Sequence, residues 1–414
     1  MEKETLQPLS GFRDLLDPRK ARLLGVLAKT FQRFGYRPLE TPIIEKQDIL
    51  LGKMGDEAQK LLYLFEDSGK RKVGLRYDLT VPLSRFVAAN YRELPLPFKR
   101  YEIGPVFRAE KPQKGRYRQF TQADIDVVGD GGSLGSETEI LEVVAATSDE
   151  LGLKITFEIN DRQLLIRGLD ELKIAESSRG KLLRLLDKKD KVSEIQLQKE
   201  LSSLELTDVQ KRNVTHLFLS GQNEELETWE KLVGKEAVGP VEKLLAQAKR
   251  IGLMAKFSPA MVRGLDYYTG LIFEGKLIDG ESSSVVGGGR YDGLVEDLVG
   301  QKLPAVGISF GVDRLLEALK EDEPSAIFVA NIDSTLEDDL RLWVKKLRQS
   351  GTSVELYAAP TDIGTQLKYA SRRGYKKVIL PLEDSWGMGT VEVKDLISGA
   401  QRAIKRADIE DERT

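Results

Sequence analysis

The segment from Arg100 to Gly129 constrains the fold of this chain more than any other. Apolar residues alternate with other residues in YEIGPVF and again in QFTQADIDVV, and a period of two is typical of β-strands. Between these stretches lies KPQKG, which is rich in residues that form turns. The segment therefore predicts a β-hairpin.

The loop and the adjoining strand ends of this hairpin are strongly basic. Within eleven positions, a single acid accompanies five cationic residues, Arg108, Lys111, Lys114, Arg116 and Arg118. A guanidinium can bind a phosphate through two parallel hydrogen bonds, so this pattern favours a polyanionic ligand. Asp124 and Asp126 lie two residues apart on the returning strand and share one face, which indicates a substrate with both signs of charge. The alternative is a solvated hairpin with scattered surface ion pairs.

The composition limits the class of protein. A chain of 414 residues should form two or three domains. With 41% hydrophobic and 31% charged residues it is typical of soluble globular proteins. The net charge is -3, so any nucleic-acid binding must come from local basic surfaces. Because no run of about 18 apolar residues and no signal peptide is visible, we expect a cytoplasmic protein without membrane contact.

Thiol and imidazole chemistry is nearly excluded. The chain has no cysteine, which rules out disulfides, thiolate zinc sites and cysteine nucleophiles. Its one histidine, His216, stands in a polar helical segment and is interpreted as structural or exposed. No metal site is predicted. Catalysis would then depend on positioning and charge stabilisation, as in phosphoryl and nucleotidyl transfer. GxxxxGK[ST] and GxGxxG are both absent, so a P-loop or Rossmann site is not expected.

The order of predicted elements indicates an antiparallel α+β domain followed by a small α/β domain. Residues 1–174 and 253–322 read as two parts of one catalytic domain, with strands followed by helices. Residues 175–252 are apolar at helical spacing and dense in paired charges, which predicts a helical insertion. Residues 323–414 alternate strand and helix, which predicts a mostly parallel sheet.

Three further segments carry candidate functional residues. LRYDLT supplies Asp78 and Thr80, RGLDYYTG supplies Arg263 beside two tyrosines, and GVDRLLEAL supplies Arg314 at a predicted helix start. The glycines of VVGGGRY either admit a nucleotide close to the backbone or simply connect a hairpin. None of these segments is decisive alone.

Taken in order and spacing, the segments match the motifs of one enzyme family. FRAEKPQKGRYRQF resembles motif 2 of the class II aminoacyl-tRNA synthetases, GVDR resembles motif 3, and GYRPLETPIIE resembles motif 1. RGLDYYTG resembles the histidine-binding signature of the histidyl-tRNA synthetase family, and LRYDLT, GGGRYDGL and GTVEVKDL fit the same family. The resemblance extends from about Leu6 to Gln401.

This resemblance implies a reaction and an architecture. Histidine is joined to ATP with release of pyrophosphate, and the histidyl group is then passed to the 3′-terminal adenosine of tRNA(His). The implied fold is α+β: an antiparallel class II catalytic sheet of six or seven strands flanked by helices, a helical insertion, and a C-terminal α/β anticodon-binding domain. Motif 1 implies a homodimer. The rival is a regulatory subunit of ATP phosphoribosyltransferase, which shares the fold but does not aminoacylate.

The resemblance also implies roles for individual residues. Arg108 would hold the α-phosphate of ATP and Arg314 the γ-phosphate, with Arg263 as a further ligand of the α-phosphate. Arg116 would lie near the phosphates, which would carry Mg²⁺. For histidine, the resemblance implies that its ammonium group is bound by Asp78, Thr80 and Gln122, that its imidazole is recognised by Asp126 and Tyr268, and that Tyr267 lies beside it. For the tRNA, it implies that the acceptor end is contacted by Lys111 and Gln113.

Overall fold

The structure is a computed structural model that forms two compact units, Met1–Leu319 and Lys320–Thr414. It describes residues 6–52, 61–112, 115–132, 134–187, 189, 192–219, 225–262, 268–278, 284–320 and 326–412. No helix within these ranges is long and apolar enough to cross a lipid bilayer. The four-part domain division predicted above stays a prediction.

The first unit contains both strands and helices. Its strands are, in chain order, β1 (Arg37–Pro38), β2 (Ile44–Lys46), β3 (Leu64–Glu66), β4 (Lys72–Leu75), β5 (Phe98–Phe107), β6 (Gln119–Val128), β7 (Ile155–Asp161), β8 (Met254–Phe257), β9 (Leu271–Leu277), β10 (Ser284–Arg290) and β11 (Ala305–Gly311). Its helices are α1 (Pro18–Arg33), α2 (Gln47–Leu51), α3 (Thr80–Asn90), α4 (Leu134–Leu151), α5 (Arg162–Glu171), α6 (Glu176–Asp187), α7 (Glu194–Ser202), α8 (Asp208–Val214), α9 (Leu226–Val233), α10 (Lys235–Arg250), α11 (Asp292–Val299) and α12 (Val312–Ala318).

The first helix, α1, begins with a capping residue and a proline. The carboxylate of Asp17 accepts a hydrogen bond from the amide of Arg19, and Pro18 occupies the first helical position, where its missing N–H costs nothing. Leu23, Leu27 and other apolar residues at helical spacing are buried in the main core. Burial of this stripe fixes α1 against the sheet.

The central sheet has eight strands in the order β1-β5-β6-β11-β10-β9-β7-β8. The pairs β1–β5 and β7–β8 are parallel and the other pairs are antiparallel. The predicted hairpin is β5 and β6, paired from Phe98↔Val128 to Phe107↔Gln119. The sheet exceeds the six or seven strands expected because short parallel strands extend both edges. Pro38 lies on the outer strand β1, where a missing N–H is tolerated.

A separate small sheet has the order β2-β4-β3, all antiparallel. The helical segment that follows α5 runs from α6 to α10 and includes a π-helical turn, Thr215–Leu219. Trp229 of α9 packs edge-on against Phe218 and against Phe257 of β8, with ring centroids 5.4 Å and 5.8 Å away. The helical segment therefore shares its core with the sheet. His216 is exposed on the π-helical turn.

The second unit is a mixed α/β structure. Its elements are β12 (Ile327–Val329), α13 (Glu337–Gln349), β13 (Val354–Leu356), α14 (Ile363–Arg372), β14 (Lys377–Leu380), α15 (Glu383–Gly387), β15 (Thr390–Asp395), β16 (Gln401–Lys405) and a 3₁₀ helix, Arg406–Glu412. In the sheet order β13-β12-β14-β15-β16, the first two pairs are parallel and the last two antiparallel. The sheet is therefore less parallel than predicted, because only the five-residue helix α15 separates β14 from β15 and a short turn separates β15 from β16, and neither connection is long enough for a parallel crossover.

Candidate active site

A cavity of about 750 Å³ opens over the middle of the central sheet. Its walls bring together side chains from distant parts of the sequence. The predicted site residues that line it are Asp78, Thr80, Arg108, Arg116, Gln122, Asp126, Tyr268 and Arg314. Of the other predicted residues, Lys111 is exposed and is not part of the cavity wall. Arg263, Tyr267 and Gln113 lie outside the described residues.

Strand β6 supplies the polar floor of the cavity. Because side chains of a strand alternate between faces, Gln122, Asp124 and Asp126 all project to the same side. Ser309, on the neighbouring strand β11, also lines the cavity, and its hydroxyl accepts a hydrogen bond of 2.6 Å from Nε2 of Gln122. The period-two pattern of QFTQADIDVV thus places an amide and two carboxyls side by side.

Asp126 is held from two directions. The phenol of Tyr291 donates a hydrogen bond to its Oδ1, and the guanidinium of Arg100 lies 2.8 Å from its Oδ2. Arg100 is fully buried, and Asp126 and Tyr291 are each 2% exposed. The carboxyl of Asp126 therefore has little freedom to rotate.

Arg100 belongs to a buried network that continues away from the cavity. Its Nη2 donates to the carbonyl of Leu79 (2.9 Å), and its Nη1 lies 3.7 Å from Oε2 of Glu102. Arg76 donates to Oε1 of the same Glu102 at 2.6 Å. Thr41 closes the network, because its amide and hydroxyl both donate to Glu102 and its carbonyl accepts from Arg76. Charges buried this deeply persist only when they are paired.

Three buried acceptor atoms on the cavity wall have neither a hydrogen-bond nor an ion-pair partner within the described part of the chain. They are Oδ2 of Asp78, Oε1 of Gln122 and Oδ1 of Asp124. An unsatisfied buried acceptor carries its full desolvation cost, about 1–3 kcal/mol for each group. A cluster of such atoms in one cavity indicates a ligand that is rich in N–H donors.

Burial changes the protonation of these acids. It raises the pKa of Asp78 to about 6, although a hydrogen bond from the Val81 amide and the charge of Arg108 oppose the change. Burial raises the pKa of Asp124 to about 8, against the opposing charge of Arg100. The pKa of Asp126 is also raised by burial, again against Arg100. A cationic ligand would favour the ionised carboxylates.

The arginines lie along the same cavity. Nε of Arg108 donates to the carbonyl of Tyr77 (3.1 Å), and its guanidinium lies 5.1 Å from the centre of the Phe120 ring. Arg314, in the first turn of α12, donates to the carbonyl of Ser284. Arg116 is 44% exposed and 3.8 Å from Glu110. Guanidiniums from the hairpin and from α12 therefore meet at one cavity, as anion binding requires.

Glycines allow the backbone of the sheet to approach the polar groups closely. Gly307 of β11 pairs with Asp126, and a Cβ at this glycine would overlap Oδ1 of that aspartate. A Cβ at Gly288 of β10 would overlap the carbonyl of Gly307. Only glycine fits at these two positions.

Sequence reasoning did not assign Arg100, Tyr291 or Ser309 to the site. Arg100 and Glu102 show the period of two in the strand, yet a charged pair on a strand usually faces solvent. Ser309 stands in the AVGISFG stretch and Tyr291 directly follows the glycines of VVGGGRY. The pairing of β6 with β5 and β11, and of β11 with β10, brings them to Gln122 and Asp126.

The largely antiparallel sheet, with arginines of the hairpin and of α12 at one cavity, defines the catalytic domain of a class II aminoacyl-tRNA synthetase. A family model described as Histidyl-tRNA synthetase matches residues 11–315. The chain belongs to the histidyl-tRNA synthetase family.

Individual relatives agree with this assignment. The chain is 39% identical over 418 residues to a histidine–tRNA ligase from Rhodopirellula baltica, with 94% of each chain covered. It is 36% identical to a histidine–tRNA ligase from Clostridium tetani, covering 98% of this chain and 97% of that one. A crystal structure of histidyl-tRNA synthetase from Nostoc sp. PCC 7120 superposes with a TM-score of 0.82 at 27% identity, covering 99% and 98%. These relatives give no support to the regulatory-subunit alternative.

Proposed function

We propose that the chain is a histidine–tRNA ligase that activates L-histidine with ATP and transfers it to the 3′ end of tRNA(His). One observation carries the proposal: unpartnered buried acceptors and guanidiniums line a single cavity. Histidine carries a cationic ammonium group with three N–H donors, and ATP is a polyanion. The cavity offers each of them the opposite charge.

The acceptor side of the cavity suits histidine. Asp78, Thr80 and Gln122 bind the ammonium group, whose three N–H donors match the free oxygens of Asp78 and Gln122. Asp126 and Tyr268 read the imidazole, with Tyr267 beside it. A site built to hydrogen-bond a ring N–H rejects an apolar ring of similar size, because its own buried groups are then left unpaired. Specificity for histidine follows from this mismatch.

The arginine side of the cavity suits ATP. Arg108 and Arg263 bind the α-phosphate, Arg314 binds the γ-phosphate, and Arg116 lies near the phosphates. ATP enters as its Mg²⁺ complex. Mg²⁺ with a nucleotide is commonly bound through the phosphates, water and one or two carboxylates, and in the described ranges no group of three or more His, Cys, Asp or Glu side chains is arranged to hold a metal ion.

The two steps need no protein nucleophile. In the first, a carboxylate oxygen of histidine attacks the α-phosphorus of ATP, the bond to the bridging oxygen breaks, and pyrophosphate leaves. In the second, a terminal hydroxyl of the tRNA attacks the histidyl carbonyl and gives its proton to the phosphate of the adenylate, the bond between the carbonyl carbon and the phosphate oxygen breaks, and AMP leaves. Fixed guanidiniums stabilise the charge that builds on the α-phosphorus, with no reorganisation during the step.

The hairpin loop and the second unit bind the tRNA. Lys111 and Gln113 bind the acceptor end of the tRNA. The second unit reads the anticodon, and its exposed basic residues support this role: Lys368, Arg372, Arg373 and Lys376. We further propose a cytoplasmic homodimer, paired through the segment that resembles motif 1.

Pyrophosphate exchange with each of the twenty amino acids in turn tests the proposal. We expect pyrophosphate to be incorporated into ATP when histidine is present, and only a background rate of incorporation with each of the other amino acids. Aminoacylation of tRNA(His) transcripts then tests the second step, with a tRNA of another specificity as the control. Absence of histidine-dependent exchange in the folded protein would overturn the proposal.

A further inference from the structure

The N-terminal segment ahead of α1 contacts both regions that supply ATP-binding arginines. Nη1 of Arg13 donates to the hydroxyl of Tyr117 at 2.7 Å, and its guanidinium lies 3.8 Å from the centre of that ring. Nη2 of Arg13 donates to Oδ1 of Asp313, also at 2.7 Å. One side chain therefore joins the hairpin to the start of α12.

Asp313 extends this connection. Its second oxygen, Oδ2, accepts a hydrogen bond of 2.7 Å from the amide of Thr121 in β6. Its side chain is only 10% exposed, and that of Arg13 is 27% exposed. Such a sheltered, charge-assisted contact is stronger than a surface ion pair.

The backbone next to Arg13 also binds the hairpin. The amide of Arg118 donates to the carbonyl of Gly11 (2.8 Å), and Nη1 of Arg118 donates to the carbonyl of Ser10 (3.1 Å). Gly11 has a φ of +85°, and a Cβ there would lie 2.8 Å from Arg118 and from Pro112. The close approach of the two segments requires glycine.

We propose that Arg13 is a positioning residue for ATP. Tyr117 directly follows Arg116, and Asp313 directly precedes Arg314, so each partner of Arg13 is the chain neighbour of a phosphate-binding arginine. By tying Tyr117 to Asp313, Arg13 sets the spacing between the arginines of the hairpin and of α12. This inference rests on the proposed function, since it assumes that the two arginines bind the phosphates of ATP.

Steady-state pyrophosphate exchange by Arg13→Ala and Arg13→Lys tests the proposal. We expect the KM for ATP to rise at least about tenfold in Arg13→Ala, as for loss of a charge-assisted hydrogen bond, while the KM for histidine stays within about twofold. Arg13→Lys keeps the positive charge but cannot make both hydrogen bonds or pack flat on the Tyr117 ring, so it should restore part of the lost ATP affinity. Arg33→Ala is the matched control, because Arg33 pairs with Glu150 at a surface where both side chains are about half exposed.

Two outcomes would overturn the proposal. One is an unchanged KM for ATP in Arg13→Ala. The other is an equal rise in both KM values together with a lower Tm, which would assign Arg13 to folding alone. Failure of the proposed function is distinguishable, because the wild-type chain would then show no histidine-dependent exchange at all.

Discussion

Tyr291 donates its phenolic hydrogen to Oδ1 of Asp126, although 165 positions separate the two residues in the sequence. Arg100, in β5, contacts the other oxygen of the same carboxyl. Asp126 is therefore oriented from two sides, by Tyr291, the first residue after β10, and by Arg100. A carboxyl fixed in this way can test the shape and the donors of a ligand. The proposed reading of the imidazole by Asp126 depends on this orientation.

Tyr291→Phe should raise the KM for histidine about tenfold, because it removes a hydrogen bond to a charged group, and leave the KM for ATP unchanged. Pyrophosphate exchange at varied histidine and ATP measures both constants. Tyr36→Phe is the matched control, since Tyr36 is also 2% exposed but donates to Glu139, which does not line the cavity. Equal effects of the two changes would contradict a role for Tyr291 at the site.

Arg108→Ala should lower kcat for exchange by at least about a hundredfold, as loss of a fixed group that stabilises the transition state does. The fold should survive, because the side chain is half-buried and its hydrogen bond goes to one carbonyl, that of Tyr77. Circular dichroism and Tm check the fold. Arg92→Ala, which removes an exposed guanidinium stacked on Tyr91, should keep full activity. A rate near wild type for Arg108→Ala would remove this arginine from the chemistry.

Gly307→Ala should weaken histidine binding and lower the Tm, because the new methyl group must displace the carboxyl of Asp126 or push β11 away from β6. Gly25→Ala is the control: a Cβ at Gly25 meets nothing within 4 Å, and alanine favours the helix. Isothermal titration with histidine and thermal denaturation measure the two effects. Normal affinity in Gly307→Ala would show that the position of Asp126 does not matter.

Asp124→Asn should raise the Tm most at alkaline pH. Burial raises the pKa of Asp124 to about 8, whereas an unfolded aspartate has a pKa of about 3.9. The folded chain then binds more protons than the unfolded chain between these values, so the stability from this group is complete below about pH 4 and is lost as the pH rises towards about 8. Denaturation between about pH 5 and about pH 9 should show a widening Tm difference from wild type. A constant difference would mean that Asp124 ionises normally.

A chain ending at Leu319 should keep histidine-dependent exchange and lose most charging of tRNA(His). Residues up to Leu319 form a compact unit that contains the whole described cavity, while the second unit is proposed to read the anticodon. Aminoacylation and exchange assays on the same preparation compare the two steps. Equal losses would argue that the second unit supports the catalytic core and does not read RNA.

Local pattern predicts local structure well in this chain. The period of two in QFTQADIDVV correctly predicts that Asp124 and Asp126 share a face, and the alternation in YEIGPVF and QFTQADIDVV correctly predicts the hairpin of β5 and β6. These features depend on neighbours in the sequence, which a single chain displays directly.

Contacts between residues that are far apart in the sequence could not be predicted from it. Arg100 looks like an ordinary strand residue until β5 pairs with β6 and places it opposite Asp126. The convergence of Arg13 and Asp313 joins positions 300 residues apart. No periodicity encodes such a contact, because it depends on how the whole sheet is ordered. In the second unit the parallel pairs β12–β13 and β12–β14 agree with the prediction, whereas the antiparallel pairing of β15 with β14 and β16 is missed for the same reason.

The network from Thr41 through Arg76, Glu102 and Arg100 to Asp126 has a consequence for engineering. Each member is buried, so replacing one of the charged members leaves a neighbouring buried charge without its partner, at a cost of about 3–5 kcal/mol, and replacing Thr41 removes the hydroxyl that donates to Glu102. The five positions should therefore change only in concert. A designer who transfers the proposed histidine pocket to another scaffold, or changes it to accept a different side chain, must carry the outlying threonine along with the aspartate.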